Sequence, residues 1–341
     1  MSTQESRGRY ARVIADRISQ TISERRFSGE NVISPYQAFV PRRPAHGVMT
    51  RFDIGGYRGC DMCALGSAAM AEPGGLVSFD TSVPNVARIY DYWLGGKDNF
   101  AADREAADRS AKAVPQLPWL SRENRKFLGR AVRFCAAAGI TQFLDIGSGL
   151  PTMENVHEVA EQVITAPHVV YADNDPVVVS HAQALLAGPQ TEAIHGDLTR
   201  PEEILGAAEV LRLIDFDQPV ALLIVATLHF IPDEADPAGA VARLRDALAP
   251  GSYLVISHIE VSSAHGAGTQ PKSQTAQELG EAQKGTPMAP VRSREEIAAF
   301  FGDLTLLAPG LVDVCDWRPD SAVVTTSSDV LALLGGVARK D

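Results

Sequence analysis

The stretch Gln142–Thr152 reads QFLDIGSGLPT, and the fold follows from its reading. An apolar run (Phe143, Leu144, Ile146) carries Asp145 near its end and gives way to Gly147-Ser148-Gly149. A buried parallel strand has this appearance where it delivers the backbone into a tight turn before a helix. Gly147 and Gly149 reach backbone angles closed to other residues and let a ligand lie against the main chain. The helix that follows points its free N–H groups back at the turn, which suits a small anionic or carboxylate-bearing ligand. A dinucleotide fingerprint needs a third glycine where this chain has Thr152, so an NAD-dependent dehydrogenase fits poorly.

Downstream the pattern alternates strands and helices, which implies right-handed crossovers and a parallel sheet. Strands are expected at about 142–146, 168–172, 192–195, 220–228 and 252–258. Helices are expected near 153–164, 176–187, 201–212 and 236–248. The second strand ends in Asp173-Asn174-Asp175-Pro176. An acid at that tip lies beside the glycine turn and accepts both hydroxyl hydrogens of a ribose; Asp175, before a proline, suits a helix cap. The third strand ends in Gly196-Asp197-Leu198, with Asp197 placed for an exocyclic adenine amine and Leu198 for the purine face. The fourth is continuously apolar, hence central, and runs into Leu228-His229-Phe230. His229 is the candidate general base, because histidine titrates near working pH; shaping the pocket by hydrogen bonding is the alternative. Ser293-Arg294-Glu295-Glu296 reads as a capping box opening a helix through Phe301, and the remainder as two closing strands in an edge hairpin.

Upstream, Ser82–Ser110 reads SVPNVARIYDYWLGGKDNFAADREAADRS. Ser82 or Asn85 caps a short helix stopped by Gly95-Gly96, and Asp98 or Asn99 caps a second over 100–114. Two helices around a Gly-Gly-Lys loop form either a lid or a hairpin covering a sheet edge. A further helix over 122–138 leads into the first core strand.

The full chain has 341 residues, 45% hydrophobic and 21% charged, which is ordinary for a soluble globular protein. A net charge of −11 makes nucleic acid an unlikely main partner. The longest apolar run, Val220–Ile231, is too short to cross a bilayer, and no secretory signal is evident, so the cytoplasm is the expected location. Four cysteines make no disulfide framework at this length. Cys60-x-x-Cys63 lacks the second ligand pair a zinc site needs, and no metal is expected. Residues 1–80 differ from the rest: up to Cys60 there are ten arginines against five acids. One amphipathic helix (Arg9–Arg26) is expected there, then a Pro- and Gly-rich, poorly ordered arm, with Met70 a plausible alternative start. The expected organisation is an extension over 1–80 and one domain over 81–341, comprising a helical lid (81–138) and an α/β core (139–341).

Asp145-x-Gly147-x-Gly149, Asp173, Gly196-Asp197 and Leu228-His229-Phe230 together resemble the Rossmann-like class I S-adenosylmethionine-dependent methyltransferases. The match extends to NVARIYDYWLGGKDNFAADREAA, VVYADNDPVV, LHFIPD and LRDALAPGSYLVISH, which look like one bacterial family of S-adenosyl methyltransferases. Its hallmark is YDYxLGGKDNFAADR, here Tyr90–Arg104, and the resemblance covers about Ser82 to Lys340. It implies a mostly parallel seven-stranded sheet flanked by helices, with S-adenosylmethionine as cofactor. It also implies that Asp145, Gly147, Ser148 and Gly149 take the methionine part, Asp173 with Asn174 the ribose, and Asp197 with Leu198 the adenine. Tyr92, Gly96, Lys97 and Asn99 are the candidates for a lid closing over the cofactor. The fourth strand lacks the Asn-Pro-Pro-Tyr motif of amino-group methylators, so a small molecule is the expected acceptor; a non-catalytic cofactor-binding regulator is the alternative.

Overall fold

The computed structural model describes residues 80–186, 188–260, 292–320 and 331–341. The expectations for Arg9–Arg26, for Cys60 and Cys63 and for Met70 lie outside them.

Five parallel strands form the centre: β1 (Gln142–Ile146), β2 (His168–Asp173), β3 (Thr191–His195), β4 (Ala221–Val225) and β5 (Tyr253–Glu260). Their order is β3-β2-β1-β4-β5, so the chain leaves β1 in one direction for β2 and later returns to its other side as β4. The carboxyl ends of β1 and β4 therefore frame the crevice where open α/β sheets bind ligands. Successive side chains point to opposite faces. Phe143, Val169, Ala193, Leu223 and Val255 fill one apolar layer, and Leu144, Val170, Ile194, Leu222 and Ile256 fill the other. Both faces are apolar because helices cover both.

The helices are α1 (Val86–Leu94), α2 (Ala101–Ala113), α3 (Leu117–Ala137), α4 (Val156–Glu161), α5 (Pro176–Leu186), α6 (Pro201–Leu205), α7 (Ala208–Leu213), α8 (Pro237–Ala247) and α9 (Arg294–Ala299). Asn85 caps α1, its Oδ1 accepting from the Ala87 and Arg88 N–H groups, and Gly95 ends it in the left-handed region at φ 85°. The second helix is not capped by Asp98 or Asn99. Instead Asp103 Oδ2 reaches back to the Phe100 N–H at 2.8 Å. The expected helix over 201–212 is two helices, broken at Gly206-Ala207, and α4 is shorter than its sequence pattern. The Ser293–Glu296 capping box is present, with Glu296 Oε2 2.7 Å from the Ser293 N–H.

Two corrections concern the sheet. The fourth strand stops at Val225, because Ala226 turns to φ 56° and Leu228–Phe230 form a turn of 3₁₀-helix. The closing strands number three rather than two: β6 (Thr305–Leu306), β7 (Val312–Asp313) and β8 (Ala332–Arg339). The last of these is no edge strand; it runs antiparallel between β5 and the short β6 and β7, which share the seventh position. Among the described residues, eight strands thus fill seven places. Among the described residues no helix is long and apolar enough to cross a membrane.

Helices α1 and α2 are held together by the buried pair Arg88 Nε–Asp103 Oδ2 at 2.7 Å. Asp103 also accepts from the Asn85 and Phe100 N–H groups, so its carboxylate satisfies three donors. Removing one partner of a buried pair strands the other. Asp103→Ala should cost about 3–5 kcal/mol of stability in urea unfolding; a loss below about 1 kcal/mol would show the pair to be worth no more than a surface one.

Candidate cofactor and acceptor site

Above the carboxyl ends of β1, β2 and β4 lies a cavity of about 480 Å³. Its floor is the glycine turn. Gly147 sits at φ 75° and Gly149 at φ 67°, and a Cβ on Gly147 would overlap the Thr227 side chain. The turn hangs on β2: the Gly147 N–H donates to the Ala172 carbonyl at 2.7 Å, and the Gly149 N–H to Asp173 Oδ2 at 2.9 Å. Asp173 Oδ1 accepts from the Asp175 N–H. Burial raises the Asp173 pKa, and those two N–H bonds pull against the rise. Asp175 itself accepts from the Val177 N–H, which is the cap expected before Pro176. Asn174 stands exposed at the rim. Asp197 is half-buried, its Oδ1 bonded by the Thr199 N–H and hydroxyl, while Leu198 is buried.

The cavity brings together Asp145, Gly147, Ser148, Gly149, Asp173, Asn174, Asp197, Leu198 and His229. It does not include Tyr92, Gly96, Lys97 or Asn99. Lys97 is exposed and Tyr92 reaches toward Asp108 at the surface. Gly96 and Asn99 belong to a clasp centred on Asp91, which is 1% exposed. Its carboxylate accepts from the Asp98 N–H, from Asn99 Nδ2 and, at 2.9 Å, from the Thr152 hydroxyl. A Cβ on Gly96 would overlap that carboxylate. Thr152, where a dinucleotide fingerprint has glycine, thus ties the turn to α1.

Helix α3 lays Leu117, Leu120, Ser121, Asn124, Arg125 and Leu128 along the cavity, a helical stripe three and four residues apart. Beside it stand Tyr90 and Trp93 of α1. The Tyr90 hydroxyl donates to the Ser121 carbonyl and accepts from Asn124 Nδ2, while Ser257 donates to Asn124 Oδ1 at 2.6 Å. Sequence reading missed these residues. The signal available was the polar trio Ser121, Asn124 and Arg125 among the leucines of this stripe, since a polar group on a core-facing position is the informative exception.

Two acids and two histidines have shifted titrations. Asp145 is raised from 3.8 to about 7 by burial, with Arg125 pulling it down and Asp173 pushing it up. His229 is held well below the usual histidine range by burial and then by His258 and Arg292, so it is neutral at working pH; its Nδ1 has no partner. His258 is lowered to about 4, chiefly by burial. Since Arg292 Nη1 can only donate, His258 Nε2 accepts from it and Nδ1 carries the proton given to the Ile259 carbonyl. Arg292 also clamps the turn after β4 through the Leu228 and Ile231 carbonyls and Asp233.

Residues 75–341 match the model of the S-adenosyl methyltransferase family, and the chain belongs to that family. Among solved structures it is similar to a candidate methyltransferase from Thermobifida fusca YX. The identity is 42%, the TM-score 0.69, and the match covers 77% of this chain and 97% of that one. It is similar also to a DUF574 family protein from Streptomyces avermitilis MA-4680, at 40% identity and a TM-score of 0.69 over 77% of this chain and 99% of that one. No curated protein matches. The protein is an S-adenosylmethionine-dependent methyltransferase of Rossmann-like class I fold. The residues present fit that cofactor: a turn with glycine at 147 and 149 faces the cavity, two buried carboxylates line it, and the buried Arg125 Nε has no partner.

Between about pH 4 and pH 7 the folded chain keeps a proton on Asp145 that the unfolded chain has released, so stability falls as pH rises through that window. Asp145→Asn removes the buried charge. In the absence of cofactor the variant should be more stable than wild type above pH 7, by roughly 3–4 kcal/mol, and level with it near pH 4. Urea unfolding at the two pH values checks this, and a difference independent of pH contradicts it.

Proposed function

We propose that the protein transfers a methyl group to a small, largely apolar acceptor that lies under α1 and α3 beside His229. The observation that carries this is the mixed cavity wall: polar groups at Gly147–Gly149, Asp173, Asn174 and Asp197, and an apolar stretch formed by Pro84, Trp93, Leu117, Leu120, Leu128 and Leu333 beside the polar Ser121, Asn124 and Arg125. Ligand cavities of this kind fix orientation with few polar groups and obtain affinity from apolar surface.

In this reading the main chain of Gly147, Ser148 and Gly149, with Asp145, holds the methionine part of the cofactor. Asp173 and Asn174 take the ribose, and Asp197 with Leu198 the adenine. Bound there, S-adenosylmethionine supplies an electrophilic methyl on a sulfonium sulfur. The protein contributes positioning and exclusion of water. The cover made by α1 and α3 excludes solvent, and the Tyr90–Asn124–Ser257 chain fixes its distance from the sheet. Gly96 and Asn99 act on the cofactor indirectly, through the Asp91 clasp that holds α1 on the glycine turn, whereas Tyr92 and Lys97 lie outside that clasp. His229 is the catalytic residue: neutral, with a free ring nitrogen, it accepts the proton of an acceptor hydroxyl or thiol as the new bond forms. A carboxylate acceptor needs no base.

Incubation of the protein with methyl-labelled S-adenosylmethionine and a small-molecule extract should place label in a low-molecular-weight product. Label confined to macromolecules, or none, contradicts the small-acceptor reading. Asp173→Ala should weaken cofactor binding about tenfold or more by calorimetry; unchanged affinity removes Asp173 from the ribose.

His229→Asn should lower kcat about 100-fold at saturating cofactor. Because the folded-state pKa of His229 lies well below 6.5, the base form persists as the pH falls. The wild-type kcat should therefore show no inflection near 6.5, and a loss of rate centred there would speak against His229 as the base.

A further inference from the structure

Arg125 is 9% exposed, lies on the cavity wall and forms no hydrogen bond or ion pair with any described residue. Burying an unpaired guanidinium is costly, and unlike lysine or histidine it cannot shed its proton to escape. Such a group is retained where its partner arrives with a ligand. The position narrows the choice. Arg125 projects from α3 on the side of the sheet that carries Phe143 and Tyr171, and Asp145 alternates onto that same face. Asp145 feels its charge, yet the two form no ion pair. Arg125 therefore faces the end of β1 and its glycine turn.

We propose that Arg125 anchors the α-carboxylate of the cofactor, making Arg125 and Asp145 the two poles of a receptor for its amino-acid end. The inference rests on S-adenosylmethionine occupying this cavity. Its chemistry offers a single anionic group: the adenosine is uncharged, and the sulfonium and ammonium are both cationic. The guanidinium presents parallel N–H donors matched to the two carboxylate oxygens, and Asp145 is the acid placed to face the ammonium. The same arrangement explains why α3 carries two adjacent polar residues at its cavity end: Asn124 positions Tyr90, and Arg125 awaits an anion.

The test is a two-by-two titration of wild type and Arg125→Met with S-adenosylhomocysteine and with its decarboxylated analogue, which differs in lacking that carboxylate. Wild type should bind the decarboxylated ligand about 10- to 100-fold more weakly. Arg125→Met should lose a similar factor toward S-adenosylhomocysteine and bind the two ligands alike. Arg125→Lys, which keeps the charge without the fork, should fall between, and it carries the comparison if the methionine variant does not fold. Wild type binding both ligands equally, or a variant that keeps the wild-type ratio, overturns the anchor alone and turns Arg125 toward the acceptor. Failure of wild type to bind S-adenosylhomocysteine at all overturns the cofactor assignment, and the anchor with it.

Discussion

The close approach of β1 and β4 at their carboxyl ends sets the terms for everything above the sheet. The Thr227 side chain lies so near Gly147 that a Cβ there would overlap it, and its hydroxyl is within 3.3–3.4 Å of the Ile146 and Gly147 carbonyls. Two strand ends drawn together this tightly force the glycine turn into positive φ and expose its main chain. The same contact ends β4 early. Ala226 turns out of the sheet, its N–H taken by Ser257, and the following turn brings His229 to the cavity wall. The glycine floor of the cavity and the placement of His229 on its wall are consequences of one packing constraint.

The cover is fitted to that floor by a second device. Asp91 gathers the Gly95–Asn99 loop with one oxygen and the Thr152 hydroxyl with the other. Arg104 then ties off Asn99, and the Arg88–Asp103 pair binds α1 to α2. Within the segment Tyr90–Arg104, Tyr90 and Trp93 line the cavity, while Asp91, Asn99, Asp103 and Arg104 form a structural clasp. Its polar residues bond chiefly to one another, and their effect on the site passes through where α1 comes to rest.

How much of this was legible in the sequence depended on the range of the interaction. Strand positions, the carboxyl-end acids and the glycine turn came from local pattern, because a parallel strand buried on both faces and a turn needing positive φ each leave a mark within a few residues. The length of β4 was misjudged because Val220–Ile231 stays apolar past the point where Thr227 meets Gly147, and apolarity does not distinguish a strand from a buried turn. The pattern around β8 suggests half of an edge hairpin, because nothing local shows that β6 and β7 lie outside it. Arg125 and the Asp91–Thr152 bond escaped for the same reason. Each depends on α1 or α3 crossing the sheet, a contact between residues far apart in the chain. Thr152 was noticed only for the glycine it replaces.

The proposed place of the cofactor is the cavity at the β1–β4 crevice, under a cover held by Asp91. A crystal structure with S-adenosylhomocysteine tests it most directly. Ligand density is expected along Gly147–Gly149, with the ribose on Asp173, the adenine between Asp197 and Leu198, and the α1–α3 cover unmoved. Density elsewhere on the molecule, or a ligand contacted by Lys97 and Tyr92 with the Asp91–Thr152 bond broken, would contradict it.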